Sequence, residues 1–380
     1  MFPKNGNSMN HRMLILIVAI LLALPQTLSA QTAEINTYKR QVREGSELLH
    51  KGDYAGARDS FESALRYYDE DASAYLGLGA AYFHLRDDRA SERALRQALD
   101  RNPKEKQAYV VLGELAYRQD DLESAVAAWQ QALDLDPADS QLKARLERVK
   151  REHGTEKDFN RDVTGHFSVK FEGRERIEAG KIVLRILEDA YGEIGRQLSY
   201  YPDREIAVIL YSGEQFREVT DAPGWSGGIF DGKIRLPIGG IDAETPALRR
   251  LLYHEYTHAV VRSITPRVPT WLNEGLAQFF EGRAIDGKER AALQVLQKNG
   301  ALPSLRTMEG SFLGLAGGQA QMAYLISLSA VRYMSDQYGV YRIRMILDEL
   351  ASKGNIQQAV ETSLLVSYDE FESGWKRSLE

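Results

Sequence analysis

The sequence predicts two domains of different classes, an α-helical solenoid of repeats followed by an α+β domain. The first prediction rests on a 34-residue spacing that relates three similar segments before residue 140. The second rests on a change after Gly165, where strand-like and helix-like segments alternate and one predicted helix carries two histidines four residues apart. A chain of 380 residues is long enough for two domains of about 100 to 200 residues each.

The composition excludes several classes of function. With 43% hydrophobic and 27% charged residues, the chain is typical of globular proteins and not of disordered or polytopic membrane proteins. A formal net charge of -6 offers no basic surface for a phosphate backbone, so no nucleic acid partner is predicted. The chain has no cysteine, so any metal ion must be bound by His, Asp or Glu.

Residues 1–30 have the three-part layout of a secretory signal peptide. Lys4 and Arg12 lie in a polar stretch, an apolar run follows at 13–24, and cleavage is predicted after Ala30. The apolar run is shorter than the roughly twenty residues that a membrane-spanning helix needs. We therefore predict export to the periplasm or another part of the cell envelope. An uncleaved signal anchor is the alternative, and it would be the route to membrane contact.

The predicted repeats lie in residues 31–153. The positions that recur at the 34-residue spacing are Gly45, Gly79 and Gly113, then Ala64, Ala98 and Ala132, then Asp69, Pro103 and Pro137. A bulky residue stands three positions before each of these alanines, namely Phe61, Leu95 and Trp129. Small residues let paired helices approach closely, and the bulky residues fill the space between neighbours. Residues 138–153 are predicted to form one further helix that caps the array.

This period and pattern resemble the tetratricopeptide repeat family from Tyr38 to about Pro137. Two positions depart from the family pattern, because Asp69 replaces the usual proline and Ser91 the usual alanine. The resemblance implies an array that binds a protein partner or a peptide. A spacer without a binding role is the alternative, since three repeats are also the minimum for a continuous core. A polar linker is predicted at 154–162.

Residues 163–380 are predicted to form the α+β domain. The predicted elements are a strand at His166–Phe171, a helix at Arg176–Leu198, a strand at Glu205–Tyr211, a hairpin at Gly228–Leu236 and a helix at Ala247–Arg262. The hairpin turns at Asp231-Gly232, a dipeptide that favours tight turns between strands. Pro246 suits the first turn of the helix that follows.

The helix at Ala247–Arg262 contains the motif HExxH. Residues four apart lie on one face of a helix, so His254 and His258 can direct ring nitrogens to one metal ion. Glu255 beside them is the candidate general base, which would take a proton from a water molecule. Histidines that serve packing or capping are the alternative interpretation.

A two-histidine site is incomplete, because catalytic zinc normally takes three protein ligands. A second predicted helix at Thr270–Glu281 follows after a short connection that contains Pro266 and Pro269. Glu274 lies one turn into this helix and is placed to face the two histidines. The longer motif HExxHxxGxxH is absent, because Ile264 stands where its third histidine would be.

The motif HExxH followed by Trp271–Ala277 resembles the gluzincin metallopeptidases of the Peptidase MA-like group, which are related to thermolysin and aminopeptidase N. The resemblance implies a zincin-like domain with Zn2+ bound by His254, His258 and Glu274. It also implies that Glu255 is the general base.

The same resemblance implies a tyrosine or histidine on a later helix that donates a hydrogen bond to the oxyanion. Tyr324 is the candidate, and a core tyrosine on an amphipathic helix is the alternative. Gln278 stands where relatives carry an acid that supports a zinc-binding histidine, so that ligand is expected to be held less firmly. The segment Gly227–Asp231 supplies no glutamate to capture a peptide amino terminus, which argues against exopeptidase activity.

The sequence therefore predicts an exported zinc-dependent peptidase, an endopeptidase, that acts on a protein or peptide substrate. Its repeat module is predicted to bind a protein partner or the substrate. Two alternatives stay open at this point. The repeats could carry the function beside a weak or inactive peptidase-like domain, or the metal site could hydrolyse a non-peptide amide or ester, because the same ligands support both reactions.

Overall fold

The computed structural model describes residues 32–173, 177–220, 227–237, 243–312, 314–315 and 317–380. The predicted signal peptide at 1–30 lies outside these ranges. The chain divides into two compact units, of which the first ends at His153 and the second begins at Gly154. None of the helices in the described ranges is both long and apolar enough to cross a bilayer.

The first unit consists of helices joined by short turns. They are α1 at 32–51, α2 at Tyr54–Leu65, α3 at Ala72–His84, α4 at Asp88–Arg101, α5 at Lys106–Arg118, α6 at Leu122–Leu135 and α7, the predicted capping helix, at Ser140–Glu156. Asp53, Asp87 and Asp121 cap the second helix of each repeat by accepting a hydrogen bond from a main-chain N–H group. These caps also follow the 34-residue spacing. The start of the second helix therefore recurs with the same period as the glycines and alanines at which the helices pack.

Contacts between small and bulky residues hold the helices of each repeat together, as predicted. Gly45 lies against Phe61, Gly79 against Leu95 and Gly113 against Trp129. A β-carbon added to any of these glycines would lie only 2.3 to 2.9 Å from the bulky side chain. Ser91 replaces the usual alanine, and its buried hydroxyl donates to the Gly79 carbonyl over 2.8 Å. The helical repeat class is confirmed.

The structure differs from the predicted linker at 154–162. Helix α7 continues through Glu156, and the first strand begins at Asn160. Glu156 is buried, and its carboxylate accepts hydrogen bonds from Lys170 at 3.3 Å and from Arg235 at 3.4 Å. The polar character of Glu156 indicates solvent exposure in the sequence, but in the structure its buried carboxylate holds the end of α7 in place.

The second unit contains a mixed sheet among the described residues. Its strands are β1 at Asn160–Val163, β2 at Phe167–Phe171, β3 at Ile206–Tyr211, β4 at Ile229–Phe230 and β5 at Ile234–Pro237, in the order β1-β2-β3-β5-β4. β3 pairs parallel with β2 and β5, whereas β1 pairs antiparallel with β2 and β4 with β5. β4 and β5 form the predicted hairpin, so β4 lies at one edge of this sheet.

Helices cover the sheet and build the rest of the unit. They are α8 at Ile177–Leu198, α9 at Gly213–Thr220, α10 at Pro246–Ile264, α11 at Thr270–Phe280, α12 at Gly287–Lys298, α13 at Gly317–Tyr338, α14 at Val340–Lys353, α15 at Ile356–Leu364 and α16 at Tyr368–Arg377, with a 3-10 turn at Leu305–Met308. Val208 and Leu210 of β3 face the large core that includes α8, whereas Ile209 and Tyr211 face α9. The predicted α+β class is confirmed.

Helix α10 carries the HExxH motif and is positioned by its start and by its packing. Thr245 caps its N-terminus, and Pro246 occupies its first turn. Tyr256 and Val260 are fully buried in the large core. The two motif histidines are offset from these residues by two positions, so they lie on the opposite face of the helix. The helix also packs against α8, α11 and the hairpin of β4 and β5.

Candidate metal centre

Three predicted metal ligands converge where α10 meets α11. His254 and His258 lie one turn apart on α10, and Glu274 lies on α11. Oε2 of Glu274 is 3.7 Å from Nε2 of His254 and 3.6 Å from Nε2 of His258. The three candidate ligand atoms all lie within 4.8 Å of one another. The fold thus brings together the three residues that the sequence predicts as metal ligands.

The spacing of these atoms suits a tetrahedral metal ion. Ligand atoms about 2.0 to 2.2 Å from a zinc ion lie about 3.3 to 3.6 Å from each other. The N···O distances of 3.6 and 3.7 Å are close to this range and too long for hydrogen bonds. Two imidazoles and one carboxylate form the donor set of many catalytic zinc sites. The residues present therefore fit a zinc ion.

The charges around the cluster favour a cation between the ligands. Burial alone would lower the pKa of His254, but the carboxylates of Glu274 and Glu281 raise it to about 10. Burial would raise the pKa of Glu274, but its contacts with the two histidines hold it below the usual value. Burial lowers the pKa of His258 to about 4, so this ring is neutral and keeps a lone pair for a metal.

Glu281 supports His254 on the side of the ring away from the other ligands. Nδ1 of His254 lies 2.8 Å from Oε2 of Glu281, and because an ionised carboxylate only accepts hydrogen bonds, the ring N–H donates to it. This hydrogen bond keeps a proton on Nδ1, so Nε2 is the ring nitrogen that faces Glu274 and that a metal ion would bind in place of a proton. Glu281 is absent from the predicted site. Its signal is the spacing of seven residues from Glu274, two helical turns, which places both on one face.

Gln278 has a different role from the one that its position suggests. Its side-chain amide donates to the main-chain carbonyl of Tyr324 over 2.8 Å and to that of Glu274 over 3.1 Å. Gln278 thereby ties α11 to α13. The carboxylate that Gln278 lacks is supplied by Glu281, which contacts His254.

The ligand helix α11 packs closely on α13 at Gly275. A β-carbon at this position would lie 2.5 Å from the main-chain oxygen of Ser327, so a side chain cannot be placed there without moving a helix. Tyr324 lies one turn before Ser327 on α13 and lines the same cavity as the metal ligands. The close approach of the two helices is therefore what brings Tyr324 to the site.

Tyr324 is the predicted oxyanion residue, and its surroundings suit a hydrogen-bond donor. Its ring packs edge to face against Phe312, with the ring centroids 5.8 Å apart. Burial raises the pKa of Tyr324, and the charges of Glu274 and Glu255 raise it further, so the hydroxyl keeps its proton. The side chain is only partly buried and lines a cavity, in contrast to a core tyrosine.

Glu255 is the candidate base, and its carboxylate is nearly enclosed. The residue is 5% exposed and lines the cavity. Burial, with the charges of Glu274 and Glu281, raises its pKa to about 7 against the opposing effect of His254. A carboxyl group with a pKa near neutrality can both accept and return a proton.

The cavity has a volume of about 540 Å³ and takes its walls from several elements. Besides the residues described above, its walls contain Gly227, Gly228, Ile229, Phe230, Leu251, Arg262, Thr270, Asn273 and Ser311. Gly228 lets the main chain before β4 approach the base, because a β-carbon there would lie 3.1 Å from the Glu255 carboxylate. A cavity of this size accommodates part of a peptide or a small ligand.

Family models match both parts of the chain. The model of the Peptidase MA superfamily matches residues 198–380, and that of a tetratricopeptide repeat matches residues 42–88 and 86–140. The chain joins a tetratricopeptide repeat region to a Peptidase MA superfamily domain. The candidate metal centre lies entirely within the Peptidase MA superfamily domain. The chain thus combines a peptidase-like domain with a repeat region of a protein-binding class.

Two solved structures of tetratricopeptide repeat domains are similar to part of the chain. The first repeat domain of Spaghetti (RPAP3) bound to the HSP90 peptide SRMEEVD is 18% identical, with a TM-score of 0.30, and the match covers 31% of this chain and 94% of that one. The first repeat domain of human RPAP3, solved by NMR, is 19% identical, with a TM-score of 0.30. This match covers 31% of this chain and 93% of that one. No curated protein matches the chain.

Proposed function

We propose that the protein is an exported, zinc-dependent endopeptidase whose repeat module binds a protein partner or the substrate. The observation that carries the proposal is the convergence of His254, His258 and Glu274 beside the buried carboxylate of Glu255 in one cavity. These four residues supply the ligands and the base that metal-assisted hydrolysis needs. The tetratricopeptide repeats support a binding role for the first unit.

The reaction divides between the metal ion and the side chains around it. The contribution of a bound zinc ion is Lewis acidity toward a water molecule and toward the scissile carbonyl. Glu255 accepts a proton from the water at its carboxylate and later transfers it to the nitrogen of the leaving amine. Tyr324 donates a hydrogen bond to the oxygen that becomes negative in the transition state. Glu281 keeps His254 oriented toward the metal.

Strand β4 supports a peptide as the substrate. It is the edge of the sheet in the described ranges, and its residues Ile229 and Phe230 line the cavity. An extended peptide can pair with such an edge through main-chain hydrogen bonds. An internal segment is favoured over an amino terminus, because the carboxylates that line the cavity, Glu255, Glu274 and Glu281, all serve the metal centre.

Metal analysis and two variants of the full-length protein test the proposal. The purified protein is expected to bind about one zinc ion per chain and to cleave casein only when zinc is present. Glu255→Gln should keep the zinc and lose the cleavage, because Glu255 is a base and not a ligand, whereas His258→Ala should lose both. Full activity of Glu255→Gln would contradict this mechanism.

Two other outcomes would select the alternatives. Zinc binding with no cleavage of casein, small amides or esters would assign the function to the repeats beside an inactive domain. Cleavage of small amides or esters without cleavage of any protein would assign a non-peptide substrate.

Export is tested separately, by sequencing the amino terminus of protein from a cell-envelope fraction, which is expected to begin at Gln31. Recovery of the uncleaved chain in the cytosol would contradict export.

A further inference from the structure

One arginine in the cavity has no role in the reaction described above. Arg262 follows His258 by four residues on α10, so both side chains project from one face of the helix. It is exposed, and it lines the cavity. Across the described ranges no hydrogen bond or salt bridge joins it to another residue, although its charge acts on Glu274 and His258. A guanidinium that lines this cavity and that no described residue pairs can bind an anionic group of a substrate.

The cavity changes in character along α10. Leu251 lies one turn before His254 and forms an apolar wall beside Gly227, near β4. Arg262 lies in the other direction, about 6 Å beyond His258 along the helix axis. Of the described residues that line the cavity, it is the one with a lysine or arginine side chain. An apolar wall and a cationic end therefore lie on opposite sides of the metal ligands.

We propose that Arg262 binds a carboxylate of the substrate and thereby sets the specificity of cleavage. This inference rests on the proposed peptidase function and adds the substrate class to it. A distance of about 6 Å corresponds to about two residues of an extended peptide. For a peptide that runs along α10, we therefore expect the carboxylate within a few residues of the scissile bond. A guanidinium binds this planar group with two hydrogen bonds. An acidic side chain offers it within a chain, as endopeptidase cleavage requires, whereas a free carboxy terminus would mean cleavage at the end of a chain instead.

A matched peptide series tests this inference. The reference probe is a short fluorescent peptide with neutral side chains and an amidated carboxy terminus. Its relatives carry either one glutamate, placed at each position in turn, or a free carboxy terminus. Affinity is measured by fluorescence anisotropy with the zinc-loaded full-length Glu255→Gln protein, which does not turn the peptide over. Cleavage is measured with the chain that retains Glu255.

Three further variants show whether a preference depends on Arg262. Each measurement is repeated with Arg262→Gln, which removes the charge, and with Arg262→Lys, which keeps the charge without the planar group. Arg250→Gln is the matched control, because Arg250 is also exposed on α10 but does not line the cavity. Since Arg262 is exposed and unpaired among the described residues, its substitution is expected to leave the fold intact.

The chain with Arg262 is expected to bind one class of charged peptide about tenfold more tightly than the neutral reference, the effect of one charge-assisted hydrogen bond. Arg262→Gln should abolish this preference and leave the affinity for the neutral peptide unchanged. Arg262→Lys should keep part of it, and Arg250→Gln all of it. A preference for glutamate in amidated peptides assigns the carboxylate to a side chain, whereas a preference for the free terminus assigns it to the end of the peptide.

Three outcomes would overturn the inference: equal affinity for charged and neutral peptides, no binding by any peptide of the series, or a preference that survives in Arg262→Gln. The experiment distinguishes failure of this inference from failure of the proposed peptidase function. Zinc-dependent cleavage without a preference for carboxylates would leave the peptidase and remove the subsite. A binding preference that depends on Arg262, without any cleavage, would leave the subsite and remove the peptidase.

Discussion

Nδ1 of His254 and Oε2 of Glu281 are joined by a hydrogen bond of 2.8 Å behind the candidate metal centre. Glu281 is the residue that caps the C-terminal end of α11, so this bond links the end of one site helix to the middle of the other. It orients the imidazole through a group that does not itself bind the metal. A ring held in this way loses less conformational freedom when it binds an ion.

Replacing Glu281 by glutamine should weaken zinc binding by about 10- to 100-fold, because a neutral amide orients the ring less firmly than a carboxylate. The measurement is competition with a chelator of known affinity. Glu361→Gln, on the exposed face of α15, is the control and should leave the affinity unchanged. If Glu281→Gln also binds zinc normally, the hydrogen bond does not support the ligand.

Replacing Tyr324 by phenylalanine should lower kcat and kcat/KM together by about 100- to 1,000-fold, because it removes a hydrogen bond made in the transition state. Zinc content should stay unchanged. Steady-state kinetics on the same substrate provide the measurement, with Tyr341→Phe as the control, since Tyr341 is 68% exposed on α14. An unaltered kcat would assign Tyr324 to packing alone.

Replacing Gly275 by alanine should destabilise the second unit by about 1 to 3 kcal/mol, because the methyl group would meet the Ser327 carbonyl at 2.5 Å. Activity should fall as well, since separation of α11 from α13 displaces Tyr324. Thermal unfolding measures the first effect. The control is Gly192→Ala on α8, where the added carbon meets no atom within 4 Å, and it should be neutral or stabilise by about 0.5 to 1 kcal/mol.

Replacing Glu156 by glutamine should destabilise the second unit on the order of 3 kcal/mol, because it removes the negative charge beside Lys170 and the fully buried Arg235. Hydrogen exchange of the amides in β2 and β3 reports the loss. Glu205→Gln breaks an exposed pair with Arg161 and should cost less than about 1 kcal/mol. Equal effects of the two substitutions would show that the buried pair adds nothing to stability.

The convergence of the candidate metal ligands could be predicted because their arrangement is local. One helical turn relates His254 to His258, and Glu274 lies on the next helix along the chain. Glu281 obeys the same helical period, but a comparison with relatives points to Gln278 instead. The spacing along α11 is therefore a better guide to the supporting carboxylate than the position at which relatives carry it.

Other features depend on contacts that no local pattern encodes. Tyr324 reaches the cavity through the close packing of α11 on α13, so the sequence identifies it only by family resemblance. The hairpin of β4 and β5 follows from its turn, whereas the parallel pairing of β5 with β3 requires a crossover connection. Glu156 looks solvent-exposed in the sequence, and its burial depends on partners from strands far along the chain.

Strand β4, with two residues, is a short edge of the sheet among the described residues, and it lines the cavity. A segment that is already paired within a folded protein has no main-chain groups left to present to this edge. Intact folded proteins would therefore be poor substrates even where they contain a suitable sequence, and unfolded or flexible chains would be cut first. If the protein has the proposed peptidase activity, this strand beside the candidate metal ligands would make cleavage depend on the folding state of the substrate.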